Sequence, residues 1–174
     1  MNPTNKGYEE YLNRGEKSVL KIMKSKSADS RSAEGEVTRE DLFISTIQHI
    51  GDVKAALSYF QRMLYEAGEQ HDRTKLTDID DFYECFAESR TNKDYNFKRD
   101  CPWFTKHIME ERHHLKDYCP PDVTLIDLLE RVCDIVMAAK GRSGKFNYEG
   151  AEMSPYILQL AYLNTLKLLD NYVE

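Results

Sequence analysis

After Thr38 the apolar residues Phe43, Ile47, Ile50, Val53, Leu57, Phe60 and Leu64 recur every three or four positions. That spacing returns side chains to one face of a helix, and it predicts a long core helix. Thr38 and Asp41 stand three apart just ahead of it, an acidic form of the capping box. Nowhere does the chain show the alternating pattern of a half-buried strand, and no segment repeats. The downstream punctuation is helical too. Thr77 can cap DIDDFYECFAES, whose early acids suit the positive start of a helix. Pro102 fits a first helical position ahead of WFTKHIMEERHHLKDY, which must stop at Pro120 and Pro121 because neither can donate a helix hydrogen bond. Asp122 or Thr124 starts LIDLLERVCDIVMAAK, ended by Gly141, and Ser154 with Pro155 opens YILQLAYLNTLKLLDNYV. The predicted fold class is all-α, a single bundle of about six helices.

Ahead of these helices, residues 8–24 are weakly amphipathic and SKSADSRSAEGE is polar with no apolar anchor, the composition of a linker. The first 36 residues therefore read as an appendage to one domain, which is what 174 residues at 41% hydrophobic content can support. A net charge of -6 and a pI near 5.4 argue against non-specific binding to nucleic-acid backbones, though a nucleotide could still use a local basic pocket. The longest apolar runs, such as AALSYF and DIVMAA, fall far short of a bilayer span, and the N-terminus has no apolar signal segment. A soluble, cytoplasmic protein without a membrane partner is expected. Cys85, Cys101, Cys119 and Cys133 contain no C-x-x-C pair, and buried free thiols are the expected state in a reducing compartment.

All five histidines, His49, His71, His107, His113 and His114, fall in one window of the chain. In HDRTKL, His71 and Asp72 offer an imidazole nitrogen and a carboxylate oxygen that suit Zn, Mn, Fe or Mg. Lys75 follows Asp72 at i+3, on the same face if the segment is helical, where its ammonium could meet a phosphate. The competing reading is a solvated polar helix end. Asp134 sits among Cys133, Ile135, Val136 and Met137, where a carboxylate needs a partner, but with Glu130 and Asp127 it also forms an acidic stripe that water could cover. His49 alone reads more readily as a core or boundary imidazole bonded to a carbonyl than as a ligand. On one helix His113 and His114 would point about 100° apart, so one of the two is expected to be structural.

The order His49, His71-Asp72, further histidines, Asp134 resembles the HD-domain superfamily of metal-dependent phosphohydrolases, whose H…HD…D pattern supplies four metal ligands from a helical bundle. HDRTK is similar to the H-D-x-x-K variant of its phosphodiesterase branches. HDRTKL, EERHHLKDYCPPDVTLIDLLERVCDIVMA and KGRSG also look like a family of small uncharacterised proteins frequent in bacteriophages, over about residues 45–144. The resemblance makes 37–174 an HD-like domain behind the appendage.

It implies a divalent metal (Zn, Mn, Fe or Mg) on His49, His71, Asp72 and Asp134, with Asp52 a rival for the first place. Lys75 would contact phosphate and, with His107, His113 or His114, neutralise the phosphoryl group and protonate the leaving oxygen. Arg142 and Ser143 of KGRSG are the counterparts of the superfamily's further phosphate contacts. The activity implied is hydrolysis of a nucleotide-like phosphate ester, in host cytoplasm if the chain is phage-encoded. A non-catalytic helical module binding nucleotide or metal, or a phage interaction protein, are the alternatives.

Overall fold

A computed structural model describes residues 35–148 and 151–173, and it bears out the all-α class: these residues form helices and no β-strand. The helices are α1 (Arg39–Gln70), α2 (Arg73–Thr77), α3 (Ile79–Thr91), α4 (Phe97–Asp100), α5 (Pro102–Glu110), α6 (Leu125–Ser143) and α7 (Pro155–Asp170). The predicted amphipathic stretch over residues 8–24 lies outside the described residues, as does most of the linker behind it. By contacts the chain divides into two compact units, Met1–Asp52 with Asp170–Glu174, and Val53–Leu169. The division falls inside α1.

In the first unit, the capping box forms as read. The Thr38 amide donates to Asp41 Oδ2 at 3.1 Å and the Asp41 amide donates to Thr38 Oγ1 at 3.1 Å. The stripe behind it differs from the expectation of a core helix. Phe43, Ile47 and Ile50 are 61%, 55% and 60% exposed, and farther along α1 Leu57 is 62% exposed. Period identifies which residues share a face; it says nothing of what covers that face.

The second unit has its core where α6 and α7 meet the 115–123 segment. Leu115, Val123 and Ala161 are buried there, with Leu125, Leu128, Ile157 and Leu160 packed around them. Thr165 and Asn164 on α7 fasten the start of α6. Thr165 Oγ1 accepts from the Leu125 amide at 2.8 Å, and Asn164 Nδ2 donates to the carbonyls of Pro121 and Val123 at 3.0 Å each. Thr124 with Asp127 makes the capping box that begins α6. The helix runs past the predicted stop at Gly141. It ends at Gly144, whose φ of 72° lies in the left-handed region and whose amide donates to the Lys140 carbonyl at 2.8 Å.

Two further expectations are corrected here. The helix opened by Pro102 ends at Glu110, so residues 111–118 are turns and His113 and His114 are not on it. The prolines at 120 and 121 set only the latest point at which the helix could stop; the chain bends earlier because Glu111 leaves helical geometry at φ −87°, ψ 108°. Cys85 and Cys101 are not free thiols but a disulfide joining α3 to the N-cap of α5, with Cα atoms 5.6 Å apart, while Cys119 and Cys133 remain free. Sequence gaps carry no information on that approach. Leu115, 1% exposed, is the largest fully buried side chain among the described residues. Leu115→Ala should lower stability by about 2–5 kcal/mol, seen as a lower urea midpoint with an unchanged slope.

Candidate metal centre

Asp72 is placed by an unusual junction. It lies between α1 and α2 at φ 55°, ψ 25°, the one non-glycine residue with positive φ among those described. Asp tolerates this conformation better than most residues, yet holding it there stores strain of a kind that clusters at functional sites. An Asp at an N-cap ordinarily bonds the first free amides of its helix. Asp72 makes no such bond. Glu111 takes over, its Oε1 accepting from the Thr74 amide at 2.9 Å and from Thr74 Oγ1 at 2.7 Å. The Asp72 carboxylate is left free to turn inward.

Around it stand four imidazoles. His107 Nε2 and His113 Nε2 lie 3.5 and 3.6 Å from Asp72 Oδ1, and His71 Nε2 lies 3.4 Å from Oδ2. His71 Nε2 is also 3.7 Å from Asp134 Oδ1, and His114 Nε2 is 2.8 Å from His107 Nε2. His107 and His113 are both 1% exposed. His107 owes its place to α5 and to Trp103, whose ring stacks on the imidazole at 4.8 Å and 17°. The 111–118 turn carries His113 and His114, and Arg112 clamps that turn to α6 through Nε and Nη2 to Asp127 at 2.7 and 3.0 Å.

Hydrogen bonds fix which nitrogens carry protons. Glu130 Oε1 lies 2.9 Å from His71 Nδ1 and 3.0 Å from His113 Nδ1. A carboxylate only accepts, so both Nδ1 atoms are protonated, and in the neutral form of each ring Nε2 then carries the lone pair. Thr74 has one hydroxyl proton, given to Glu111; toward His107 Nδ1, 2.6 Å away, it is therefore an acceptor. His107 Nε2 is thus unprotonated as well. The 2.8 Å contact between His114 and His107 then holds a single proton, on His114.

Burial and the surrounding charges set the ionisation of these groups. Burial raises the Asp72 pKa, but the Lys75 ammonium bonded to its Oδ2, with His71 and His113, outweighs burial and keeps it below the usual carboxylate range. Glu130 follows the same logic: burial opposes ionisation, and the bonds from His113 and His71 more than restore it. Burial, with Lys75 next, lowers the pKa of His107. His114 is pushed down to about 4 by burial and by its neighbours His113 and His107. Both rings are therefore held in the neutral form that binds metals.

These residues fit a divalent cation. Asp72 Oδ1 is buried and has no hydrogen-bond partner, a costly state for a carboxylate oxygen. Donor atoms that share one ion at about 2.0–2.2 Å lie roughly 3–4 Å from one another, which matches the spacing around Asp72. Asp72, His107 and His114 form one group of possible ligands and His71, Asp72 and Asp134 another, each with its donor atoms within 4.8 Å. The third such group, His71, His113 and Glu130, is accounted for by the hydrogen bonds just described.

Three of the four predicted ligands thus come together, and His49 is not among them: it is an exposed residue of the first unit and belongs to none of these groups. Asp52, its rival, is in that unit too. Lys75 is at the centre, bonded to Asp72. Arg142 is exposed near the end of α6, about two turns beyond Asp134, and the Ser143 hydroxyl bonds the Ala139 carbonyl at 2.9 Å. His107, His113 and His114 all reach the centre. The supporting residues Glu130, Glu111 and Thr74 were not read from the sequence. Glu130 had a signal in its stripe with Asp134, and Thr74 sits inside HDRTKL; Glu111 had none.

Comparison with protein families, curated proteins and solved structures finds no match to this chain.

Thr74→Val keeps the shape of the side chain and removes the hydroxyl that fixes the His107 tautomer. Affinity for Zn²⁺ or Mn²⁺ should fall about 10–100-fold by calorimetry, the usual cost of losing such a support, with the helical circular dichroism unchanged. Equal affinity in the variant would show that His107 takes no part in binding the ion.

Proposed function

We propose that this chain is a metal-dependent phosphohydrolase whose centre is built on Asp72. The observation that carries the reading is the buried, unpartnered Asp72 Oδ1 facing the Nε2 atoms of His107 and His113. Asp72 offers one oxygen to the group with His107 and His114 and the other to the group with His71 and Asp134. The proton between His107 and His114 marks a place that a cation can take. A divalent ion there supplies Lewis acidity toward a phosphoryl oxygen and acidifies water toward neutral pH.

The chain's own residues do the rest. Lys75 spends one of its three ammonium donors on Asp72 and is more than a third exposed, which leaves donors for the phosphoryl oxygens of a substrate. Glu130 and Thr74 hold the imidazoles in orientation and tautomer before substrate arrives. The acid role first considered for His107 is not retained, because burial keeps the ring neutral and its Nε2 presents a lone pair rather than a proton. No helix of the described residues is long and apolar enough to cross a membrane. The Cys85–Cys101 disulfide is a bond that a reducing cytoplasm disfavours, so a cytoplasmic location is not part of this proposal.

Asp72→Asn separates the chemistry from the fold, since Asn also tolerates left-handed geometry. Elemental analysis of protein purified without chelator should give at least one divalent ion per wild-type chain and little in the variant, and hydrolysis of phosphate esters should disappear with the ion. Retained metal in Asp72→Asn would remove Asp72 from the centre. Lys75→Met should keep the metal and lower kcat/KM for phosphate esters by roughly 10²-fold. Full activity in that variant would make Lys75 only a counter-charge for Asp72.

A further inference from the structure

Beside the centre is a cavity of about 650 Å³ between the last turns of α1 and the middle of α6. Leu64, Ala67 and Gly68 line it from α1, and Leu129, Met137 and Ala138 are among the residues that line it from α6. Its polar side chains are His71, Glu130 and Asp134, all at the centre, and Glu130 is already bonded to His71 and His113. Of these, His71 and Asp134 belong to a possible ligand group as well. The cavity and the metal centre are therefore continuous, one apolar and one polar.

We propose that the cavity takes the apolar body of the substrate, so that the phosphate reaching His71 and Asp134 is carried on an aryl or alkyl group rather than on a nucleoside. Its volume is that of a site for a drug-sized molecule. A nucleoside brings a sugar with hydroxyls and a base whose edge needs donors and acceptors; the cavity is open, with Leu129 and Met137 partly exposed, and whichever of those groups it covers are left unpaired at a cost. The wall has no Asn, Gln, Ser, Thr, Arg or Lys to meet them. An aryl or alkyl body loses only water on entering, which is favourable in proportion to the area it hides. With a cation at the centre the pattern suits an amphipathic molecule: hydrocarbon against Leu64, Leu129 and Met137, anionic head toward His71 and Asp134. The identity of the head rests on the phosphohydrolase reading; the occupancy of the cavity by an apolar group does not.

Binding to the full chain can be measured with non-hydrolysable probes, alongside metal content. In wild type, 2-naphthylmethylphosphonate should bind roughly ten-fold or more tighter than methylphosphonate, and adenosine monophosphate no tighter than methylphosphonate. Gly68 offers the control, because a Cβ added there meets nothing within 4 Å. Gly68→Leu should place its own hydrocarbon in the cavity and abolish the naphthyl preference, with metal content and methylphosphonate affinity unchanged.

Cys133 is free, exposed and part of the cavity wall, so its alkylation rate reports occupancy directly. Neutral 2-naphthylmethanol should slow that alkylation in wild type and not in Gly68→Leu. Equal affinity for the two phosphonates, tighter binding of the nucleotide, or a naphthyl preference that survives in Gly68→Leu would overturn the proposal. So would a Cys133 that is unreactive in ligand-free protein, since the cavity would then be filled by the chain itself or by a second copy. Absence of metal and of methylphosphonate binding, with Cys133 still protected by naphthylmethanol, would refute the phosphohydrolase reading and leave the apolar site standing.

Discussion

The carboxylate of Asp72 governs the second unit because so much of the structure is arranged around its position. Its backbone is left-handed, its own helix is capped by another residue, and one of its oxygens is buried without a donor. Each of those features costs free energy by itself: a non-glycine residue in the left-handed region about 1–3 kcal/mol, an unpaired buried acceptor about as much again. Lys75 offsets the charge on one oxygen only. A cation on the other side would turn the liability into a binding site, and this is the physical reason for reading the centre as a metal site rather than as a polar core.

A second tier makes that reading specific. Imidazoles near a carboxylate would ordinarily donate to it; here the neutral forms of His71, His107 and His113 have no proton for Asp72, because the one each carries is on Nδ1 and goes to Glu130 or Thr74. The supports come from distant parts of the chain. Glu130 stands on α6, Glu111 caps α2 from the turn after α5, and Arg112 ties that same turn to Asp127 at the start of α6. The packing of Leu115 and Val123 under α7 fixes the turn from below. Core, clamp and ligand are thus successive residues of one segment, Glu111 to Leu115, and the centre is only as well ordered as that segment.

Most helix starts were legible in the sequence because caps are local: Thr38 with Asp41, Thr124 with Asp127, Pro102 and Pro155 all sit where a helix begins, whereas Thr77, expected to cap α3, ends α2 and Asp78 stands at that N-cap. Helix ends were less so. The chain could have continued to Pro120, and the turn at Glu111 depends on contacts to Thr74 and Asp127 that are remote in sequence. That error carried into the site, since the angular argument against His113 and His114 sharing one centre holds only on a helix. His71, Asp72, Lys75 and Asp134 were readable from residue type and order. Glu111 and the pairing of Cys85 with Cys101 were not, because each exists only through a long-range approach. The long stripe of α1 shows the converse: its period was read correctly, and its burial does not follow from period.

The central claim is that Asp72 Oδ1 and the imidazole Nε2 atoms receive a cation. Anomalous diffraction decides it most directly, from crystals of the full chain grown with Mn²⁺ or Zn²⁺ and measured on both sides of the metal's absorption edge. The account predicts an anomalous peak bonded to Asp72 and to at least one of His107, His113 and His114, with Glu130 and Thr74 still holding the outer nitrogens. An ordered Asp72 carboxylate with no peak beside it, and a protein N–H or water donating to Oδ1 instead, would contradict it.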